Sequence, residues 1–200
     1  MDITLFPANE YRRERWKNGS GWTREILRWP QDAGEQWDWR LSIAEVDKDG
    51  PFSAFPGVER ELVLLSGAGM HLHFEDGESV LLNPPHDRHR FAGERALRSG
   101  LISGPTQDFN VMWRRERVEA TLLHRPLVGP MLFFPEPGVR WAAYLLSGRA
   151  RFKDQPQLLL LEQGDSALIE PQPGRSSRVI MEGGGELLLV RIAAPLQGTE

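Results

Sequence analysis

The sequence predicts an all-β protein built from two similar halves, and three observations carry that expectation. Short strand-like runs separated by turn signals dominate, and few helical stripes occur. Fifteen prolines and 20 glycines punctuate the 200 residues, and both residue types break helices and mark turns. Finally, Leu64-Leu65-Ser66-Gly67 is echoed by Leu145-Leu146-Ser147-Gly148, each after an apolar strand and before a second short one. The matching order of strands and turns around the echo points to an internal duplication.

In the first half, Trp16 to Glu25 packs two tryptophans around the Asn18-Gly19 turn and runs into an alternating polar strand. Trp39, Leu41 and Ile43 alternate with Arg40, Ser42 and Ala44, giving one apolar and one mixed face. Asp47 to Pro51 reads as a turn. Leu62 to Leu65 is an apolar strand closed by Ser66-Gly67. Met70, Leu72 and Phe74 alternate again, Glu75-Asp76-Gly77 is a hairpin turn, and Ser79 to Leu82 is a strand cut by Asn83-Pro84-Pro85. In the second half, Leu158 to Leu161, Ala167 to Glu170 and Leu187 to Ile192 read as strands, the last buried on both faces. Gln163-Gly164-Asp165 is a turn and Pro171 to Gly174 a loop. The stretch from Leu122 to Gly138, with Pro126, Pro130, Pro135 and Pro137, is the expected boundary, giving domains 1–121 and 122–200.

Composition narrows the function classes. A hydrophobic fraction of 40% supports a real core, and the net charge of -4 is mixed along the chain. Neither a basic stripe for nucleic acid nor a membrane-length apolar run is present. The first fifteen residues have no signal-peptide run, so a cytoplasmic location is the default. The absence of cysteine excludes disulfides, thiolate metal sites and cysteine nucleophiles. The chain also has no Gly-X-Ser-X-Gly, phosphate loop or dinucleotide fingerprint.

The order strand, glycine turn, strand, Gly-Asp turn, strand, proline loop resembles a cupin repeat. Leu145 to Gly148 and Gln163 to Pro171 carry that resemblance. The fold it implies is a bicupin, two cupin-like β-barrels. His71-Leu72-His73 followed by Glu78 mimics the cupin metal motif, since histidines at i and i+2 share a strand face. They follow the glycine turn, however, whereas cupin ligands precede it. The segment at the proper place, Gly50 to Pro56, holds no histidine. The plainer reading makes His71 and His73 a polar outer face, and His86 and His89 solvated loop residues. No metal and no cofactor are expected.

Four motifs say more. Trp16 to Glu25, Trp39 to Ala44, Gly50 to Arg60 and Asp108 to Met112, taken in that order, resemble the HutD family, also called HutD/Ves, over roughly residues 11 to 115. Ser20 departs from the glycine usual at that turn. The resemblance implies a cupin-superfamily protein tied to histidine utilisation, one that binds urocanate, a formimino compound or another small carboxylate rather than converting it. The ligand-binding candidates within these motifs are Asn18, Thr23, Arg40, Ser42, Phe52, Ser53, Phe55, Arg60 and Asn110.

Elementary chemistry is compatible with that set. Arg40 and Ser42 share the face opposite Trp39, so an inward Arg40 would offer a planar fork to a carboxylate. Phe52 and Phe55 would supply apolar walls, and Asn18, Thr23 and Asn110 neutral hydrogen bonds. The structural alternative has Arg40 bridging Glu59 or Asp108, Phe52 and Phe55 in the core, Asn18 in a tight turn, and Trp16, Trp22 and Trp39 as packing. The apolar second half would complete the fold or support a homodimer. A metal-independent cupin enzyme acting on a small organic acid and a pure protein-interaction module are the rival functions.

Overall fold

The computed structural model describes residues 1–172 and 178–195. Seventeen strands follow one another among them. They are β1 (Asp2–Phe6), β2 (Arg12–Arg15), β3 (Gly21–Trp29), β4 (Trp39–Val46), β5 (Gly50–Pro51), β6 (Val58–Ser66), β7 (Met70–Phe74), β8 (Ser79–Leu82) and β9 (Arg88–Ala92). The series continues with β10 (Leu97–Leu101), β11 (Thr106–Arg114), β12 (Glu119–Val128), β13 (Met131–Phe133), β14 (Arg140–Phe152), β15 (Leu161–Glu162), β16 (Ser166–Glu170) and β17 (Val179–Ala193). A 3-10 turn at Ala8–Glu10 is the only helical element among the described residues. No helix there is long and apolar enough to cross a membrane. The fold class is all-β, as the turn spacing predicts.

The chain separates into two compact units, Arg12–Val118 and Met1–Tyr11 together with Glu119 onward. This differs from the expected division at 121/122 in two ways. The first strand joins the second unit, because β1 pairs antiparallel with β16, Asp2 to Phe6 against Glu170 to Ser166. Tyr11 fastens the segment through its hydroxyl, 2.7 Å from Gly164 O and from Ser166 Oγ. In addition, the proline-rich stretch is not a linker. Its first part is strand β12, which pairs with β17 from Glu119 to Val128. Pro126 is tolerated there because β12 is an edge strand, where a missing donor faces away from the ladder.

In the Arg12–Val118 unit, a six-stranded sheet ordered β2-β3-β4-β11-β6-β9 and a four-stranded sheet ordered β5-β10-β7-β8 share one core. Ala44, Val46, Leu62 and Leu64 come from the first sheet and Met70, Leu72, Phe74, Leu82 and Leu97 from the second. These are two open sheets, not the closed barrel expected. At the β5 edge, Pro51 and Pro56 have no backbone donor, and pairing stops after two residues. The chain then runs on irregularly, tied by Phe52 N to Leu97 O at 3.0 Å and Phe55 N to Gly93 O at 2.8 Å.

The other unit is a seven-stranded sheet along β1-β16-β14-β17-β12, with β13 added to β17 and β15 to β14. Leu145, Phe152, Ile169, Met181, Leu187 and Leu189 are central to its core. Leu187 to Val190 are all buried, as expected of a strand covered on both faces. Two other expectations change. The Leu145 to Gly148 echo ends no strand, because β14 runs through it with a bulge between Leu145 and Ser147. Only Leu161 of Leu158 to Leu161 lies on a strand, and Leu159 and Leu160 are exposed. The predicted loop from Pro171 to Gly174 lies partly outside the described residues.

Candidate functional site

The six-stranded sheet brings three rungs of side chains to one face. Across β4, β11 and β6 they are Arg40–Met112–Arg60, Ser42–Asn110–Leu62 and Ala44–Asp108–Leu64. Period-two alternation places every second residue of a strand on the same face, so Trp39, Leu41 and Ile43 go to the other. Above the first two rungs lies a cavity of about 970 Å³, walled on its far side by Pro51 to Pro56. All nine predicted residues line it: Asn18, Thr23, Arg40, Ser42, Phe52, Ser53, Phe55, Arg60 and Asn110.

Seven lining side chains are cationic, and two, Glu14 and Glu35, are acidic and exposed. The deepest cation is Arg60, which is 4% exposed. Three phenylalanines surround its guanidinium, with ring centroids 5.4 Å (Phe52), 5.5 Å (Phe55) and 5.2 Å (Phe91) away. Its hydrogen bonds are long, 3.3 Å to Ser53 O and 3.5 Å to Asn110 Oδ1. Nε has no acceptor. Burial lowers its pKa to about 10, against the raising effect of Asp108 and with a smaller lowering from Arg40. It therefore stays charged at neutral pH.

Arg40 is held differently. Its Nε lies 2.8 Å from Glu25 Oε2, and Arg28 also clasps Glu25 through two bonds at 2.8 and 2.6 Å. Desolvation lowers the Arg40 pKa, and Glu25 opposes that shift. The expected alternatives, Glu59 or Asp108, are thus replaced by Glu25. Sequence alternation alone does not reveal Arg28, because a bulge between Glu25 and Leu27 switches β3 to the other phase. A one-residue slip of this kind reverses which side chains face inward.

The mouth is built on the first tryptophan motif. Trp16 Nε1 donates to Thr23 Oγ1 at 2.8 Å, and its ring meets Phe52 edge-on at 5.9 Å. Asn18 Oδ1 accepts from Ser20 N at 3.0 Å and so helps hold its own turn. Trp37, Met112 and Arg114 also line the cavity, unforeseen, although Met112 and Arg114 extend the Asn110 alternation. Thr23→Val keeps the side-chain shape and the Trp16 ring but loses the bond between them. We expect about 1 kcal/mol lower stability in urea denaturation, near the typical net contribution of one hydrogen bond. An unchanged midpoint would show that this bond contributes nothing.

The histidines lie elsewhere. His71 and His73 stack 5.3 Å apart on β7 of the four-stranded sheet, and neither lines the cavity. His73 Nδ1 is 3.1 Å from Ser79 Oγ. His89 is not a solvated loop residue. It sits half-buried on β9, stacked 5.9 Å from Phe91 and 3.7 Å from Glu78.

The geometry defines an all-β, cupin-like protein with a cationic, aromatic-walled cavity in one unit. The chain belongs to the HutD family, whose model matches residues 8–189. It is 40% identical over 123 residues to an uncharacterized 21.2 kDa protein in the hutC 3' region of Pseudomonas putida, covering 60% of this chain and 63% of that one. The match thus spans about three fifths of that curated relative. Among solved structures, HutD from Pseudomonas fluorescens SBW25, described as a formate condition, superposes with a TM-score of 0.80 at 28% identity, covering 98% of this chain and 100% of that one. A bacterial pirin from Escherichia coli, solved with nickel(II), gives 0.71 at 10% identity, covering 97% and 99%, which shows likeness of fold alone.

Proposed function

We propose that the protein is a cytoplasmic, non-catalytic receptor for a small organic carboxylate, urocanate or a formimino compound among them, and that it modulates histidine utilisation. The observation that carries this reading is the buried Arg60 guanidinium beside the cavity, with weak hydrogen bonds and an unpaired Nε. A buried cation without strong partners favours an incoming anion. The aromatic walls suit a planar organic body, and about 970 Å³ is ample for one with accompanying water. The formate condition of the Pseudomonas fluorescens relative and the hutC neighbourhood of the Pseudomonas putida relative support the ligand class and the setting. The strand and turn order written in the sequence is what supports reading the two units as diverged copies of one cupin-like repeat.

The test is thermal shift followed by calorimetric titration with urocanate, its methyl ester and formate. A ligand at 100 times its dissociation constant adds about 2.7 kcal/mol of stability. Urocanate is expected to raise the melting temperature and the uncharged ester to leave it unchanged. Arg40→Ala is expected to remain folded, because Arg28 still neutralises Glu25, and to lose about tenfold in affinity. Equal affinity would remove Arg40 from the site. No shift with any carboxylate would end the reading.

A further inference from the structure

Asp108 stands immediately behind the cavity and is unaccounted for by packing. It lies on the central strand β11, one rung beyond Asn110 and two beyond Met112. Its side chain is fully buried, and neither carboxylate oxygen has a hydrogen-bond donor. Its rung neighbours are Ala44 and Leu64. A carboxylate so placed would be expensive to keep charged, yet the core around it is otherwise apolar. Building on the carboxylate reading above, we propose that Asp108 balances the charge of Arg60 across the sheet face, and that it takes up one proton from solvent when an anion enters the cavity.

The electrostatics follow from the groups that face it. From β6 comes Arg60, the one charge that acts on Asp108 directly. From β4 comes Arg40, which acts on Arg60 and is itself paired with Glu25. β9 carries His89, engaged with Glu78, and Glu78 is also paired with Arg95. The facing strands β7 and β10 contribute Met70, Leu72, Phe74 and Leu97. Without a ligand, ionised Asp108 offsets the Arg60 charge. A bound anion adds a second negative charge beside one cation in a dry site, where repulsion is strong. Protonating Asp108 removes that excess: the carboxylate and one solvent proton become a neutral carboxyl, and Arg60 gives its full charge to the ligand. Burial, opposed by Arg60, already raises the Asp108 pKa to about 7, so the proton is available near neutrality.

The sign is fixed by linkage. Below about pH 7, Asp108 is neutral before and after binding, and affinity is flat. Above it, binding must take up a proton, and affinity falls by up to about tenfold per pH unit. Calorimetric titration of the wild type with urocanate and formate, in buffers of different ionisation enthalpy, reads the proton number. We expect uptake approaching one proton per anion at about pH 8 and close to none at about pH 6, following the two regimes above. Asp108→Asn is expected to abolish uptake, flatten the pH profile and bind more tightly than wild type at alkaline pH. A merely structural aspartate would move none of these. Wild-type binding without proton uptake overturns this inference alone, and needs no variant. An Asp108→Asn protein that retains the pH profile overturns it as well. No binding by the wild type at any pH overturns the carboxylate reading and this inference with it.

Discussion

Arg60→Met removes carboxylate binding, weakening it about a hundredfold or more, and leaves a folded protein with a steeper loss of stability at alkaline pH. The binding loss follows from two charge-assisted hydrogen bonds, each contributing about 1.5–3 kcal/mol. Folding survives because the guanidinium lies among the rings of Phe52, Phe55 and Phe91, an apolar setting that methionine fills without a charge to desolvate. The pH effect comes from Asp108. Its folded pKa of about 7 lies above the ordinary value of 3.8, so the folded state binds the proton more tightly than the unfolded one. That contribution favours folding fully at low pH, is lost as pH rises between those two values, and is flat above them. Arg60 pulls the Asp108 pKa down, so Arg60→Met extends the window of loss upward in pH. Calorimetric titration checks the first claim and urea denaturation over a pH series the second. Undiminished urocanate affinity in Arg60→Met would remove the anchor from the site.

Gly185→Ala is expected to prevent stable folding of the second unit. Gly148 on β14 faces Gly185 on β17, with φ of +87° and +135°, next to the bulge between Leu145 and Ser147. A Cβ on Gly185 would fall 1.9 Å from Ser147 O. Backbone cannot yield as a flexible side chain can, so the two strands must part and give up ladder bonds at the centre of the sheet. The penalty exceeds about 4 kcal/mol, in the range reserved for severe core defects, against total stabilities of about 5–15 kcal/mol. Gly129→Ala is the control: its φ is +77°, but nothing lies within 4 Å of the added methyl. About 1–2 kcal/mol of left-handed strain is expected there. Thermal denaturation separates the two. A Gly185→Ala protein melting within a few degrees of wild type would contradict the steric argument.

Sequence legibility follows the reach of each signal. Trp39 to Ala44 shows period-two alternation, and that periodicity alone is enough to send Arg40 and Ser42 to one face. The run from Gly50 to Pro56 is readable as an apolar wall because Pro51-Phe52 and Phe55-Pro56 frame it. What escaped is non-local or out of phase. Nothing near Asp2 to Phe6 announces that its partner is Ser166 to Glu170. The β3 bulge hides Arg28 from the alternation that Thr23 and Glu25 follow. Pro126 resembles a linker signal and sits instead on an edge strand. Leu158 to Leu160 has strand-like residues, yet its backbone pairs only from Leu161. Asp108 is visible in the sequence, but its isolation from hydrogen-bond donors is a property of three assembled strands.

The partition of the chain into an inner unit, Arg12–Val118, flanked on both sides by segments of the other sets an order of events on the ribosome. The inner unit has all its strands as soon as Val118 has emerged and can form its two sheets while synthesis continues. β1 is made earlier but must wait for β16. Ala8 and Asp165, whose contact marks that closure, are 157 residues apart. At about 5–20 residues per second, the first strand stands unpaired on the order of ten seconds or more. Its edge is exposed to other nascent chains for that interval, and the second unit is the one whose yield should respond to chaperone supply.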